Sequence, residues 1–174
     1  DASDIFTTSM FVGSAITSQD GNIFVDAGRD INLSGIFSNI NTHFGDGSIS
    51  LTAGGDIIID NSSGVLSDNG NITITAGGAF SLLATSGNAW VGASDNDSDL
   101  ISGNVTITAR GAGGINVAAG TDGITSDYGT VTLIADNMDL QSTIGDGTGD
   151  VYITPYTVGT IDPPVLGTDI YLGT

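Results

Sequence analysis

The sequence predicts an all-β chain folded as a parallel β-helix, a β-solenoid of about six rungs with three short strands in each. Three observations carry that expectation: a six-residue strand pattern that recurs along the chain, a composition hostile to helices, and connections too short for crossover helices.

The recurring pattern occupies residues 22–27, 48–53, 71–76, 104–109 and 130–135, each with a small polar start, alternating apolar positions and a closing Ala. Residues 150–155 form a sixth copy that closes on Pro155. The first apolar residues, Ile23, Ile49, Ile72, Val105, Val131 and Val151, are spaced by 26, 23, 33, 26 and 20 residues. Period-two alternation places Ile23 and Val25, Ile72 and Ile74, and their counterparts on one buried face, with Thr and Asn on the other.

A second strand follows in each unit, at residues 30–33, 56–59, 79–82, 114–117 and 137–140. A third precedes the next unit, and its copies at 15–21, 64–70 and 123–129 align without gaps. Three such strands joined by short turns form one coil, and like strands then stack about 4.8 Å apart from rung to rung. Excursions from the coil are expected where the period stretches, at 36–47, at 85–102 around Trp90, and at 111–114. The chain therefore divides into a lead-in strand or partial rung at 1–14, the repeats at 15–155, and an extended tail at 156–174 that suits an inter-subunit strand or a linker.

Composition agrees with this reading. The 174 residues hold 27 Gly, 20 acidic residues, all Asp, and only two cationic residues, Arg29 and Arg110, for a net charge of −18. Asp, Asn, Ser and Gly favour turns over helix, and the usual surface helix formers Glu and Lys are absent. With 39% hydrophobic residues the chain can still bury a continuous core. An anionic surface of this strength repels phosphate backbones and anionic lipid, so nucleic acid is not an expected partner, and no apolar run is long enough to insert in a membrane. There is no Cys, which removes disulfides and thiolate metal sites.

Units such as 70–78 (Gly-Asn-Ile-Thr-Ile-Thr-Ala-Gly-Gly) and 123–135 resemble the repeats of filamentous-haemagglutinin-type bacterial exoproteins, across residues 15–155. The resemblance implies a right-handed β-helix, an extracellular or cell-surface location, and roles in attachment, biofilm or cell contact. The Asn-Pro-Asn-Gly type of motif that marks the secretion domain of two-partner-secreted members is not found in the sequence, which points to a position downstream of such a domain or to another export route.

Several positions are candidates for function. Asp95, Asp97 and Asp99 place three carboxylates two residues apart, a spacing that suits Ca2+, although a solvated acidic turn is the preferred reading. Leu100 stands where an EF-hand loop needs Gly, so no cofactor is required and Ca2+ is the one metal to consider. Trp90 reads as a core filler, the preferred assignment, or as an exposed platform on which a sugar ring stacks. Tyr152, Tyr156 and Tyr171 cluster late in the chain, where aromatic residues suit self-association. His43 is the only His and no nucleophile elbow accompanies it, so no catalytic residue is expected.

The expected function is a non-enzymatic structural segment of an extracellular fibre or adhesin. Its partner would be a second copy stacked end to end or an adjoining solenoid of a longer chain, with glycans or cell surfaces as further ligands. A carbohydrate-binding module is the alternative, and a β-helical polysaccharide-degrading enzyme is the less favoured third reading.

Overall fold

The computed structural model describes residues 5–7, 10–11, 15–35, 38–42, 45–94, 100–157 and 170–172. The chain coils through successive turns. The first holds β1 (Ile5–Thr7), β2 (Met10–Phe11) and β3 (Ile16–Ser18), and the second β4 (Ile23–Ala27), β5 (Ile31–Leu33) and β6 (Asn39–Thr42). The third holds β7 (Ile49–Ala53), β8 (Ile57–Ile59) and β9 (Gly64–Ser67), and the fourth β10 (Ile72–Ala76), β11 (Phe80–Leu82) and β12 (Trp90–Ala93). The fifth holds β13 (Val105–Ala109), β14 (Ile115–Val117) and β15 (Gly123–Ser126). Then follow β16 (Val131–Ile134), β17 (Met138–Leu140), β18 (Val151–Thr154) and β19 (Ile170–Leu172).

Like strands stack into three sheets whose pairings are all parallel. The first runs β1-β4-β7-β10-β13-β16-β18, the second β2-β5-β8-β11-β14-β17-β19, and the third β3-β6-β9-β12-β15. A bridge between Ile124 and Ile144 carries the third sheet one rung further. The fold is a parallel β-helix. Its register is the one set by the apolar pattern: Ile23 lies opposite Ile49, Ile49 opposite Ile72, Ile72 opposite Val105, Val105 opposite Val131, and Val131 opposite Val151.

Inward Ile, Val and Leu from all three sheets form one core, and the closing residues Ala27, Ala53, Ala76, Ala109 and Ala135 are buried with them. A small residue is needed there because the chain turns tightly into the second sheet. Of the third-sheet strands, β6, β9, β12 and β15 each bury one branched apolar residue, Ile40, Val65, Val91 and Ile124, and two places later stands a buried hydroxyl at Thr42, Ser67 and Ser126 or, on β12, the buried Ala93. Those hydroxyls satisfy the corner that leads to the next rung. Thr42 Oγ1 and Ser67 Oγ donate to the Gly47 carbonyl at 2.8 and 3.0 Å, and Ser126 Oγ donates to the Gly103 carbonyl at 2.8 Å.

The polar residue that begins each first strand continues the ladder into the turn. Ser48 N–H donates to Asn22 Oδ1 (2.8 Å), Asn71 N–H to Ser48 Oγ (3.1 Å), Asn104 N–H to Asn71 Oδ1 (2.8 Å) and Thr130 N–H to Asn104 Oδ1 (2.8 Å). At the next corner Asp56 N–H donates to Asp30 Oδ1 and Ala79 N–H to Asp56 Oδ1. Side-chain acceptors thus replace the backbone carbonyls that a turn aims elsewhere.

Two segments expected to leave the coil stay in it. Asn39–Thr42 and Trp90–Ala93 are strands of the third sheet, although they lie within 36–47 and 85–102. Each offers only one branched apolar residue inward, with Thr42 or Ala93 at the second inward place, so the alternation that marks a strand is faint. Within the segment read as an extended tail, Ile170–Leu172 pairs with β17 and continues the second sheet of the same chain.

Candidate functional site: the Trp90 corner

The most irregular described backbone lies where the third and fourth turns pass from the second sheet to the third. Asn61 and Ser62 adopt consecutive left-handed conformations, with φ of 58° and 61°. Such residues cost about 1–3 kcal/mol each and persist only where their surroundings hold them. Here the holding group is Asp60, 8% exposed, whose Oδ1 accepts the N–H of Asn61 at 2.7 Å and of Thr85, one rung on, at 2.8 Å. Asn61 Nδ2 donates to the Ser34 carbonyl, and Ser86 Oγ donates to Asn61 Oδ1, both at 2.8 Å. This turn is fastened to the rungs on both sides.

It delivers the chain to Gly64, the first residue of β9, which lies opposite Trp90 on β12. Val91 and Ala93 take the inward places on β12, so Trp90 faces outward and is half-buried, and the core-filler assignment is corrected. A Cβ on Gly64 would sit within the indole ring, so the ring lies across the Gly64 backbone. Only a glycine leaves that space. Gly123 lies opposite Trp90 on the other side. Two residues before Trp90, Asn88 Nδ2 donates to Asp122 Oδ1 at 2.7 Å. The corner thus presents an aromatic ring, an amide and a carboxylate in a rigid setting. Those groups suit stacking against and hydrogen bonding to a neutral sugar.

Asp60 and the left-handed pair escaped sequence reasoning. Their signal was the run Asp60-Asn61-Ser62-Ser63, four consecutive residues whose side chains compete for local backbone groups. The other candidate residues scatter. Asp95, Asp97 and Asp99 lie outside the described residues, as does His43. Among the described residues there is no group of three or more metal-ligating side chains.

Tyr152 is 52% exposed on the outer face of β18, with its hydroxyl 3.2 Å from Asp150 Oδ2. Tyr156 lies beneath the Arg110 guanidinium, 5.8 Å from ring centroid to Cζ. Tyr171 belongs to β19, opposite Asp139. All three tyrosines are therefore in the last two turns. Arg29 is exposed, 3.8 Å from Asp30.

The outer face of the first sheet is almost free of charge. Its outward columns run Ser50, Thr73, Thr106, Thr132 and Thr52, Thr75, Thr108, and among its described strand residues only Asp26 is ionic. Among the described aspartates only Asp26 and Asp139 lie within strands, and the others lie at the turns.

No family model, curated protein or solved structure matches the chain.

Proposed function

We propose that the chain is a non-enzymatic structural segment of an extracellular fibre or adhesin, acting in surface attachment or filament formation by stacking solenoid rungs along one axis. The observation that carries this reading is the change in exposure along one core column. Val131 is 1% exposed, while Val151, one rung further in the same column, is 40% exposed. The last first-sheet strand presents apolar surface of the kind every earlier rung covers with the next. A further rung, from an adjoining solenoid or a second copy, supplies that cover. Acidic turns along the flanks oppose side-by-side clumping and leave the axis as the favoured direction of contact. The resemblance of units such as 70–78 to the repeats of filamentous-haemagglutinin-type exoproteins supports this reading. Negative-stain electron microscopy of the concentrated chain tests it: regular unbranched filaments are expected, and dispersed globular particles at every concentration and salt count against it.

A second reading, a carbohydrate-binding module, is favoured by the Trp90 indole held outward across Gly64 on a sheet face whose neighbouring outward residues, Asn39, Leu66 and Thr125, are uncharged. Retention on neutral glycans that disappears in Trp90→Ala supports it. Equal retention of both proteins removes it.

A further inference from the structure

The outward residues of the first sheet form a two-dimensional net. On β7, β10, β13 and β16, Ser50, Thr73, Thr106 and Thr132 follow one another in register, and so do Thr52, Thr75, Thr108 and Ile134. The strands pair residue for residue with no bulge, so both columns run straight. Neighbours in a column stand about 4.8 Å apart, and the columns lie two residues apart along the strand, about 6.6 Å. All eight side chains reach the surface: Thr52 and Thr73 are exposed and the other six are half-buried.

This net is uncharged in a chain that holds 20 Asp, and Asp26, opposite Thr52 on β4, marks its boundary. Its hydroxyls also differ from those in the corners. Thr42 and Thr121 donate theirs to backbone carbonyls. Among the described residues, none makes a hydrogen bond with a side-chain oxygen of the net. Branching at Cβ keeps χ1 of each Thr in a narrow range, so hydroxyl and methyl positions are set before any ligand arrives.

A rigid, uncharged net that repeats in two directions suits a ligand that is itself a periodic solid. Water oxygens joined tetrahedrally by hydrogen bonds of about 2.75 Å lie about 4.5 Å apart as second neighbours and repeat about every 7.3 Å across two puckered layers. The protein net and the water net agree within about a tenth in each direction. Threonine supplies both parts of such a contact, because its methyl excludes loose water while its hydroxyl joins the hydrogen bonds of the lattice. A charged side chain would hold a hydration shell of its own, out of step with a crystal.

We infer that the outer face of the first sheet, over β7, β10, β13 and β16, binds the surface of ice. The inference goes beyond the rung-stacking reading and does not need it, since this face lies along the flank of the stack and not at its ends.

The test is the coarsening of fine ice crystals held just below their melting point with the whole chain present. The chain is expected to slow coarsening relative to buffer and to an inert protein at equal mass concentration. A fluorescently labelled sample is expected to enter slowly grown ice that leaves free dye in the liquid. Thr106→Tyr puts a ring in the middle of the net and should abolish both effects. Ser81→Tyr is the matched control, because Ser81 is the outward residue of β11 on the second sheet, and it should leave both effects intact. Circular dichroism checks the β-structure of each variant, and tyrosine suits an outward strand position. Should Thr106→Tyr fail to fold, Thr73→Lys at an exposed position carries the same expectation. Coarsening at the buffer rate, or inhibition lost equally in Ser81→Tyr, overturns the inference. Retention on an insoluble neutral glycan, or face-to-face dimers cross-linked through Thr106→Cys, with ice growing unhindered, would assign the face to another occupant and overturn it as well.

Discussion

The indole of Trp90 lies across the backbone of Gly64, its in-register partner on the adjacent strand. Because the ring sits on the outer face, Trp90→Ala should cost under about 2 kcal/mol in urea unfolding, below the 3–5 kcal/mol typical of truncating a core aromatic residue. Gly64→Ser places an atom where the ring now lies and should lift it into water. Trp90 is the only Trp, so a red shift of its emission with the fold retained reports the displacement directly. An unshifted spectrum would show that the ring does not rest there.

Core and face positions on one strand should differ sharply. Ile74 is fully buried with rungs on both sides, so Ile74→Ala should destabilise by about 2–5 kcal/mol. Its outward neighbour Thr73→Ala should change stability by about 0.5 kcal/mol or less. Equal effects in a denaturant titration would contradict the inward and outward assignment.

The corner between the third and first sheets stacks Gly47, Gly70, Gly103, Gly129 and Gly149. A Cβ at Gly70, Gly103, Gly129 or Gly149 would strike the carbonyl of the glycine one rung below. Backbone cannot yield as a side chain can. Gly103→Ala should therefore cost about 1–3 kcal/mol or more by forcing two rungs apart. Gly120→Ala is the informative contrast, because its Cβ would meet nothing closer than Ala84 Cβ at 3.7 Å and would suffer only from its φ of 83°. A Gly103→Ala protein with an unchanged melting curve would refute the close approach of the rungs.

Acid should loosen the last turn before the rest. Asp136 Oδ1 accepts the Thr157 N–H at 2.7 Å, and this bond, with one from the Thr157 hydroxyl, holds the Asp136 carboxyl below its ordinary value of 3.8. A lowered folded-state pKa means the contribution is complete above the unfolded value and is lost as pH falls through the lower, folded value. Amide exchange at Thr157 should accelerate in that acidic window ahead of exchange at Ile74. In Asp136→Asn the acid-dependent step at Thr157 should vanish, and its persistence would assign the step to another group.

Much of this architecture is written in the spacing of a few residues. Ile23, Ile49, Ile72, Val105, Val131 and Val151 are legible as one column because branched apolar residues at period two occur together with a polar start and a closing Ala. The third sheet is legible only where Ile16, Val65 and Ile124 open gapless copies that close on Gly21, Gly70 and Gly129. Ile40 and Val91 are followed by Thr42 and Ala93, which meet the geometric need of the corner without contributing to a hydrophobic pattern. The site is less legible still. Trp90 is visible as a residue, but its outward direction depends on Gly64, 26 positions earlier, and on the left-handed pair at Asn61 and Ser62 held by Asp60. No local pattern links residues that meet only through the coil.

The central claim is that rungs stack along one axis from chain to chain, and fibre diffraction from aligned filaments tests it most directly. The account predicts a strong reflection at about 4.8 Å along the filament axis, because strands lie across that axis at the spacing of the sheets. A reflection of that spacing perpendicular to the axis, or a chain that forms no filaments to align, would contradict it.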